Sequence, residues 1–247
     1  MIYRSITPLA IIFLACTGSD HVLSASPTLE ESLIMKLQEL PNFPKVKEVR
    51  RIHEFEGQLF EVLTEGNNVF YANPSGTRLI SGAIFEVPSA RNLTAERQDE
   101  LSIIDWNNLP LQDAIVIKKG DGSRKLAIFV DPNCQFCRNL EQEIDRLDNV
   151  TIYYLPLSFL GKDSVEKNLA IVCASNPAEV YKAWMKDGVQ PPSPPENCKA
   201  ESISRNMEFA TIHGINGTPT IYFEDGSRIV GSTPAVVIEE RLNTIRN

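Results

Sequence analysis

Asp131-Pro-Asn-Cys134-Gln-Phe-Cys137 is the stretch on which the reading of this chain turns. Before it runs Lys125–Val130 (KLAIFV), an unbroken apolar segment of the kind found in strands covered on both faces. After it, Phe136, Leu140, Ile144 and Leu147 recur at helical spacing and predict an amphipathic helix with these four on one face. Thr151–Leu155 then reads as a second strand and completes a βαβ unit. Cys134 therefore opens a helix, where unpaired backbone N–H groups and the macrodipole favour a thiolate. Cys137, one turn on, can reach the first sulfur. One thiol is placed to attack and the other to resolve, which is what a cycling dithiol requires. A zinc site would want a second ligand pair, which Cys173, Cys198 and the scattered histidines do not supply, so no metal is expected. A purely structural disulfide is seldom built at a strand-to-helix junction.

Further along, Gly217-Thr218-Pro219 precedes Thr220–Phe223 and Arg228–Val230, which flank Asp225-Gly226 and read as a terminal hairpin. Proline cannot donate to a central ladder, and a cis Thr218–Pro219 bond would explain its place at the start of a strand. A helical stretch over 163–213 is broken at Pro191–Pro195, and Thr233–Ile245 forms the closing helix.

Toward the N-terminus, 92–101 (NLTAERQDEL) has helix formers but a sparse apolar stripe, which suits a solvent-exposed connector. Phe60–Thr64, Val69–Ala72 and Arg78–Val87 are short strand-forming runs separated by turn residues, a small antiparallel meander. Residues 28–40 place Leu29, Leu33, Leu37 and Leu40 on one helical face with Thr28 as N-cap. A unit of this size buries only around 60% of its unfolded surface, and its open edges invite an identical partner. The chain opens Met1-Ile-Tyr-Arg4, with one early positive charge, followed by the apolar run Leu9–Cys16 and a small polar exit, the order of a secretory leader ending near Ala25. Phe13-Leu-Ala-Cys16 also loosely resembles a lipoprotein cleavage site, which would leave Cys16 acylated.

Composition bounds the rest. The 247 residues are 43% hydrophobic and 23% charged, as in globular proteins, with room for two domains. A formal charge of −8 without a Lys/Arg block argues against a nucleic-acid surface. The chain holds 5 cysteines; once Cys16 leaves with the leader an even set remains, which in an exported protein points to disulfide chemistry.

CxxC at the start of a helix followed by Gly-Thr-Pro before the last hairpin resembles the thioredoxin fold. With DPNCQFC, GTPTIYFEDG, Tyr71-Ala-Asn-Pro-Ser-Gly76, Leu79-Ile-Ser-Gly82 and Asn92-Leu-Thr94, the mature chain resembles the DsbC/DsbG family of bacterial periplasmic disulfide isomerases. The resemblance implies an α+β protein: leader 1–25, a cystatin-like dimerisation domain 26–88, a helical linker 89–110 and a thioredoxin-like domain 111–247 with a helical insertion. It implies Cys134 as nucleophile and Cys137 as resolving thiol. Gln135, Phe136, Thr218 and Pro219 would meet the substrate, and Cys173–Cys198 would be a structural disulfide. No cofactor is implied. The implied partners are a second copy of the chain in a V-shaped homodimer, misfolded exported proteins, and a membrane-embedded thiol reductant of the DsbD type.

Gln135-Phe136 replaces the family's usual Gly-Tyr, no histidine separates the cysteines as in DsbA-type oxidases, and Ile128 stands where thioredoxins usually carry a buried acid. Asp131 reads as a turn residue. Asn92-Leu-Thr94, Asn149-Val-Thr151 and Asn216-Gly-Thr218 match the glycosylation sequon by chance; His53, His213, Trp106 and Trp184 read as surface or packing groups. Isomerase with reductase activity leads. A dithiol oxidase, and a chaperone whose redox activity is secondary, are the competing functions.

Overall fold

Thr28 starts the first helix, α1 (Leu29–Gln38), with a reciprocal cap: its hydroxyl accepts the Glu31 N–H at 3.2 Å, and the Glu31 carboxylate accepts the Thr28 N–H at 2.8 Å. The computed structural model describes residues 26–245 except positions 57 and 200. The expected leader and Cys16 lie outside the described residues. Leu33 and Leu37 of α1 are buried, whereas Leu29 and Leu40 are exposed because the helix ends at Gln38 and only its middle turns meet the sheet.

That sheet is an antiparallel meander of β1 (Val46–Ile52), β2 (Leu59–Thr64), β3 (Val69–Ala72) and β4 (Leu79–Ile80), in that spatial order. Val46, Val49, Phe60, Val62 and Ala72 pack beneath α1. β1 escaped the sequence reading because a register shift between Val46 and Glu48 breaks the period-2 alternation. The run Arg78–Val87 is not one strand; it splits into β4 and β5 (Phe85–Glu86), and β5 pairs with β6 (Arg91–Asn92). The next helix, α2 (Leu93–Leu101), corrects another expectation. It is not a solvated connector but lies against the second face of the meander. Thr94 is buried and bonded to the Tyr71 hydroxyl, and Arg97 reaches the buried Glu61 carboxylate at 3.1 Å. Leu101 packs on this face too, but the polar pairs carry much of the contact, and an apolar stripe does not register them.

The second sheet contains β7 (Ile115–Lys119), β8 (Arg124–Val130), β9 (Val150–Pro156), β10 (Thr220–Phe223) and β11 (Arg228–Val230) in the order β11-β10-β8-β9-β7. Between β8 and β9, which run parallel, lies α3 (Gln135–Ile144), the expected βαβ unit. The helical stretch is α4 (Lys162–Val172), α5 (Pro177–Asp187) and α6 (Glu201–Ile212), and it breaks a second time before Pro177, where Asn176 caps α5. α7 (Ala235–Ile245) closes the chain. One face of the sheet packs Leu126, Ile128 and Ile152 against α3, α5 and α7. The other packs Ala127, Phe129, Leu155 and Tyr222 against α6, and recruits Ile104 and Leu109 from the stretch read as linker. Ile104 N–H bonds the Gly226 carbonyl at 3.1 Å. Among the described residues no helix is long and apolar enough to cross a membrane.

Candidate active site

Register places the site. β10 pairs with β8 so that Thr220 faces Phe129, which sets the turn Gly217–Pro219 opposite the loop leaving β8. The Thr218–Pro219 bond is cis, as expected. The loop itself is pinned from three sides. The Asp131 carboxylate, fully buried, accepts the Asn133 N–H at 2.9 Å, the Leu160 N–H at 3.0 Å and the Ser164 hydroxyl at 2.7 Å. The Trp184 indole of α5 donates to the Pro132 carbonyl at 2.7 Å. Asp131 is therefore a turn residue whose oxygens are fully engaged, and Trp184 does more than pack: it holds the loop, its ring between the cations of Arg138 and Lys167.

Cys134 is the N-cap residue of α3, and its carbonyl accepts the N–H groups of Cys137 and Arg138 at 3.1 and 3.2 Å. Its sulfur faces the Thr218 carbonyl at 3.2 Å. Both thiols are free; Cys134 is 7% exposed and Cys137 1%. The Cys134 thiol is held down at about 5, first by its hydrogen bond with Cys137, then by Thr218 and the N–H groups of Cys137 and Phe136, which together outweigh burial. Burial, and next the hydrogen bond with Cys134, drive the Cys137 thiol far above the ordinary range. One sulfur is thus a stable thiolate and its neighbour a retained thiol.

Alkylation of Cys134 by iodoacetamide is accordingly expected to be half-maximal near pH 5, with Cys137 unreactive throughout. The sign follows from the lowered pKa: the stability that the thiolate lends the reduced native protein is fully present above the ordinary thiol range and is lost as pH falls through about 5. Mass mapping of the alkylated peptides reads it, and a midpoint at about 8.5, the value of a free thiol, removes the stabilised thiolate.

The helix face departs from expectation at one position. Phe136 is 62% exposed, because the apolar face of α3 is formed by Cys137, Leu140 and Ile144, not by the residue between the cysteines. Gln135 is exposed beside it, bonded to Asn139. Phe136, Leu160 and Val230 are exposed apolar groups near the dithiol and the Thr218–Pro219 turn. A cleft of about 710 Å³ lies alongside that turn, between Phe159, Ile212 and Ile215 on one side and Lys47, Glu65 and Asn68 of the meander on the other. Among the described residues no three His, Cys, Asp or Glu side chains gather as metal ligands.

Away from the dithiol, Cys173 at the end of α4 is bonded to Cys198, with their Cα atoms 5.9 Å apart, closing a loop that contains α5. Replacing both by serine is expected to lower the unfolding free energy by about 3 kcal/mol in urea titrations while insulin reduction continues. No change in stability, or loss of reduction, would contradict a purely structural bridge. The reading of the sequence missed Ser164 and Glu141. The second was detectable in principle, as an acid on the apolar stripe of α3 between Leu140 and Ile144.

Two family models match this chain, a thioredoxin-like domain over residues 111–246 and a disulfide bond isomerase N-terminal domain over 24–95. A protein of Bordetella parapertussis named "Probable thiol:disulfide interchange protein DsbC" is 37% identical over 184 residues, 74% of this chain and 64% of the relative. The thiol:disulfide interchange protein DsbC of Dickeya dadantii is 25% identical over 184 residues, 72% of this chain and 73% of that one. The crystal structure of a disulfide interchange protein from Neisseria gonorrhoeae is 30% identical with a TM-score of 0.50, covering 54% of this chain and 96% of that one. The chain thus spans 64% of the length of the Bordetella relative.

Proposed function

Because the chain belongs to the thioredoxin-like family, in its DsbC branch of thiol:disulfide interchange proteins, we propose that it rearranges incorrect disulfides in exported proteins through Cys134 and Cys137. The observation that carries the reading is a free cysteine capping a helix N-terminus, backed one turn on by a second buried free thiol and facing the cis-proline turn. Cys134 Sγ attacks one sulfur of a substrate disulfide; that S–S bond breaks, a Cys134–substrate bond forms, and the second sulfur leaves as a thiolate. A substrate thiol then attacks back and regenerates the dithiol with no net electron transfer, which is isomerisation. Alternatively Cys137 attacks Cys134 Sγ, the substrate leaves reduced by two electrons, and the dithiol becomes a disulfide that an external reductant must reopen.

Gln135 and Phe136 supply exposed contact beside the nucleophile, and the backbone at Thr218–Pro219 pairs with an extended substrate segment as an added strand would. The apolar groups around the site fit a chaperone-like hold on unfolded chains. The meander with α1 and α2, residues 26–101, forms a homodimerisation domain, and the catalytic domain begins near Ser102, since Ile104 and Leu109 belong to its core. The compartment is the periplasm, and the electrons come from a membrane-embedded dithiol reductant.

Thiol trapping in cells separates the electron directions. A mainly reduced Cys134/Cys137 pair is the expected result, and a mainly oxidised pair would make the protein an oxidase. Refolding of a scrambled multi-disulfide substrate then tests isomerisation itself.

A further inference from the structure

Two helices of the catalytic domain end on a glycine in the left-handed region: α5 at Gly188, φ +67°, and α6 two residues before Gly214, φ +65°. A helix C-terminus accounts for both conformations. It does not account for their surroundings. Gly188 is exposed, with nothing within 4 Å of where a Cβ would sit. Gly214 is buried, and a Cβ there would run into the Gly66 carbonyl, 2.8 Å from its carbon and 3.4 Å from Gly66 Cα. Gly66 lies in the turn between β2 and β3 of the meander. Two backbones approach this closely only where no side chain stands between them.

The contact falls beside the substrate platform. Gly214 opens the loop that runs through Thr218–Pro219 into β10, and the Thr218 carbonyl lies 3.2 Å from Cys134 Sγ. Arg228 of β11 donates to the Gly214 carbonyl at 3.4 Å, tying the start of this loop to the sheet. The far end of β10 is held in a similar way. Gly226, in the β10–β11 turn, is buried; its carbonyl accepts the Ile104 N–H at 3.1 Å, and a Cβ on it would lie 3.2 Å from Ile103 Cγ2. Between the two ends, the Tyr222 hydroxyl of β10 donates to the Ser102 carbonyl at 3.5 Å. The meander turn joins this support directly, since Asn67 Nδ2 donates to the Leu101 carbonyl at 2.9 Å, one residue before Ser102.

On the dithiol reading above, we propose that the β2–β3 turn of the meander braces the substrate platform of its own chain. Gly66 against Gly214 fixes the near end of β10, as Ile103 and Ile104 fix the far end, and so keeps Thr218–Pro219 opposite Cys134. A substrate segment that pairs with backbone at this turn binds best to a platform already in place, because ordering a mobile loop subtracts from the binding energy. The brace therefore acts on substrate binding and leaves the thiol chemistry alone. Gly66 and Gly214 are positioning residues that touch neither substrate nor sulfur. The meander thus has a task in its own catalytic domain, separate from the dimerisation proposed for it.

Asparagine tolerates the left-handed region, so Gly214→Asn and Gly188→Asn carry a similar backbone cost and differ in what the new side chain meets. In the full-length protein, Gly214→Asn is expected to raise KM for insulin reduction roughly tenfold while kcat stays within about twofold. Gly188→Asn should leave both unchanged. Iodoacetamide needs no platform, so its rate at Cys134 should be the same in the wild type and both variants, and light scattering should give all three the same mass. Matching KM values in the two variants, or a fall in kcat at constant KM, overturns the brace. In the wild type, NMR relaxation of backbone amides should give the meander and the catalytic domain a single rotational correlation time, a readout that stands even if Gly214→Asn fails to fold. Two separate times overturn the inference and leave the dithiol reading intact. A wild-type Cys134 that resists iodoacetamide at neutral pH overturns the dithiol reading itself.

Discussion

Replacing Cys134 by alanine is expected to slow insulin reduction roughly 10³-fold or more and to abolish isomerisation, because no second thiolate is placed to attack. Cys137 cannot take over: it is buried, and its thiol is held far above the ordinary range. The companion substitution has a different signature. Cys137→Ala leaves Cys134 able to form mixed disulfides but removes their escape, so covalent adducts with substrate accumulate and are visible on non-reducing gels. Cys137 also supplies the largest influence that lowers the Cys134 pKa, so the alkylation midpoint of Cys134 in this variant should rise from about 5 toward the free-thiol range. Near-native insulin reduction by Cys134→Ala would move the nucleophile elsewhere and end the assignment.

Separating the two copies of the proposed dimer is expected to cost most of the isomerase activity, on the order of tenfold or more, while simple reduction persists. The meander is small, and β1 and β4 are edge strands with one neighbour each. Ile80, Phe85 and Val87, on and beyond β4, are exposed apolar residues that a partner would cover. In the pair, a substrate held by one dithiol meets the second at high effective concentration; a monomer must wait for a new encounter. Ile80→Asp with Phe85→Asp should therefore yield a monomer by light scattering that still reduces insulin but refolds scrambled substrates poorly. A truncation can make the same test, but it has to begin near Ser102 and not at Leu111. Ile104 and Leu109 fill the second core of the catalytic sheet, and stripping them would unfold what remains. A wild-type protein that scatters as a monomer at micromolar concentration would remove the assembly and the main physical argument for isomerisation over plain reduction.

What could be read from the sequence was local. The Thr28 cap, the buried strand before Cys134, the spacing of the two cysteines and the Asp225-Gly226 hairpin each depend on residues a few positions apart, and each is in place. The cis Thr218–Pro219 bond was legible for the same reason: a proline at the mouth of a central strand leaves few other arrangements. The face of α3 was legible except at its first turn, where Phe136 points outward because a residue between two cysteines that must meet cannot share their side.

Contacts between distant segments were decided by the tertiary structure alone. β1 is a strand because β2 pairs with it across a bulge, not because its own pattern alternates. α2 lies on the meander through Tyr71–Thr94 and Glu61–Arg97, polar pairs invisible to any measure of apolar periodicity. The dithiol's supports come from elsewhere in the chain: Ser164 and Leu160 hold Asp131, Trp184 holds Pro132, and Tyr154 and Tyr181 hold Glu141. Helical spacing can put an acid beneath Cys137. Only the packing of α5 and β9 over it takes it out of water, and loss of hydration is what raises its proton affinity.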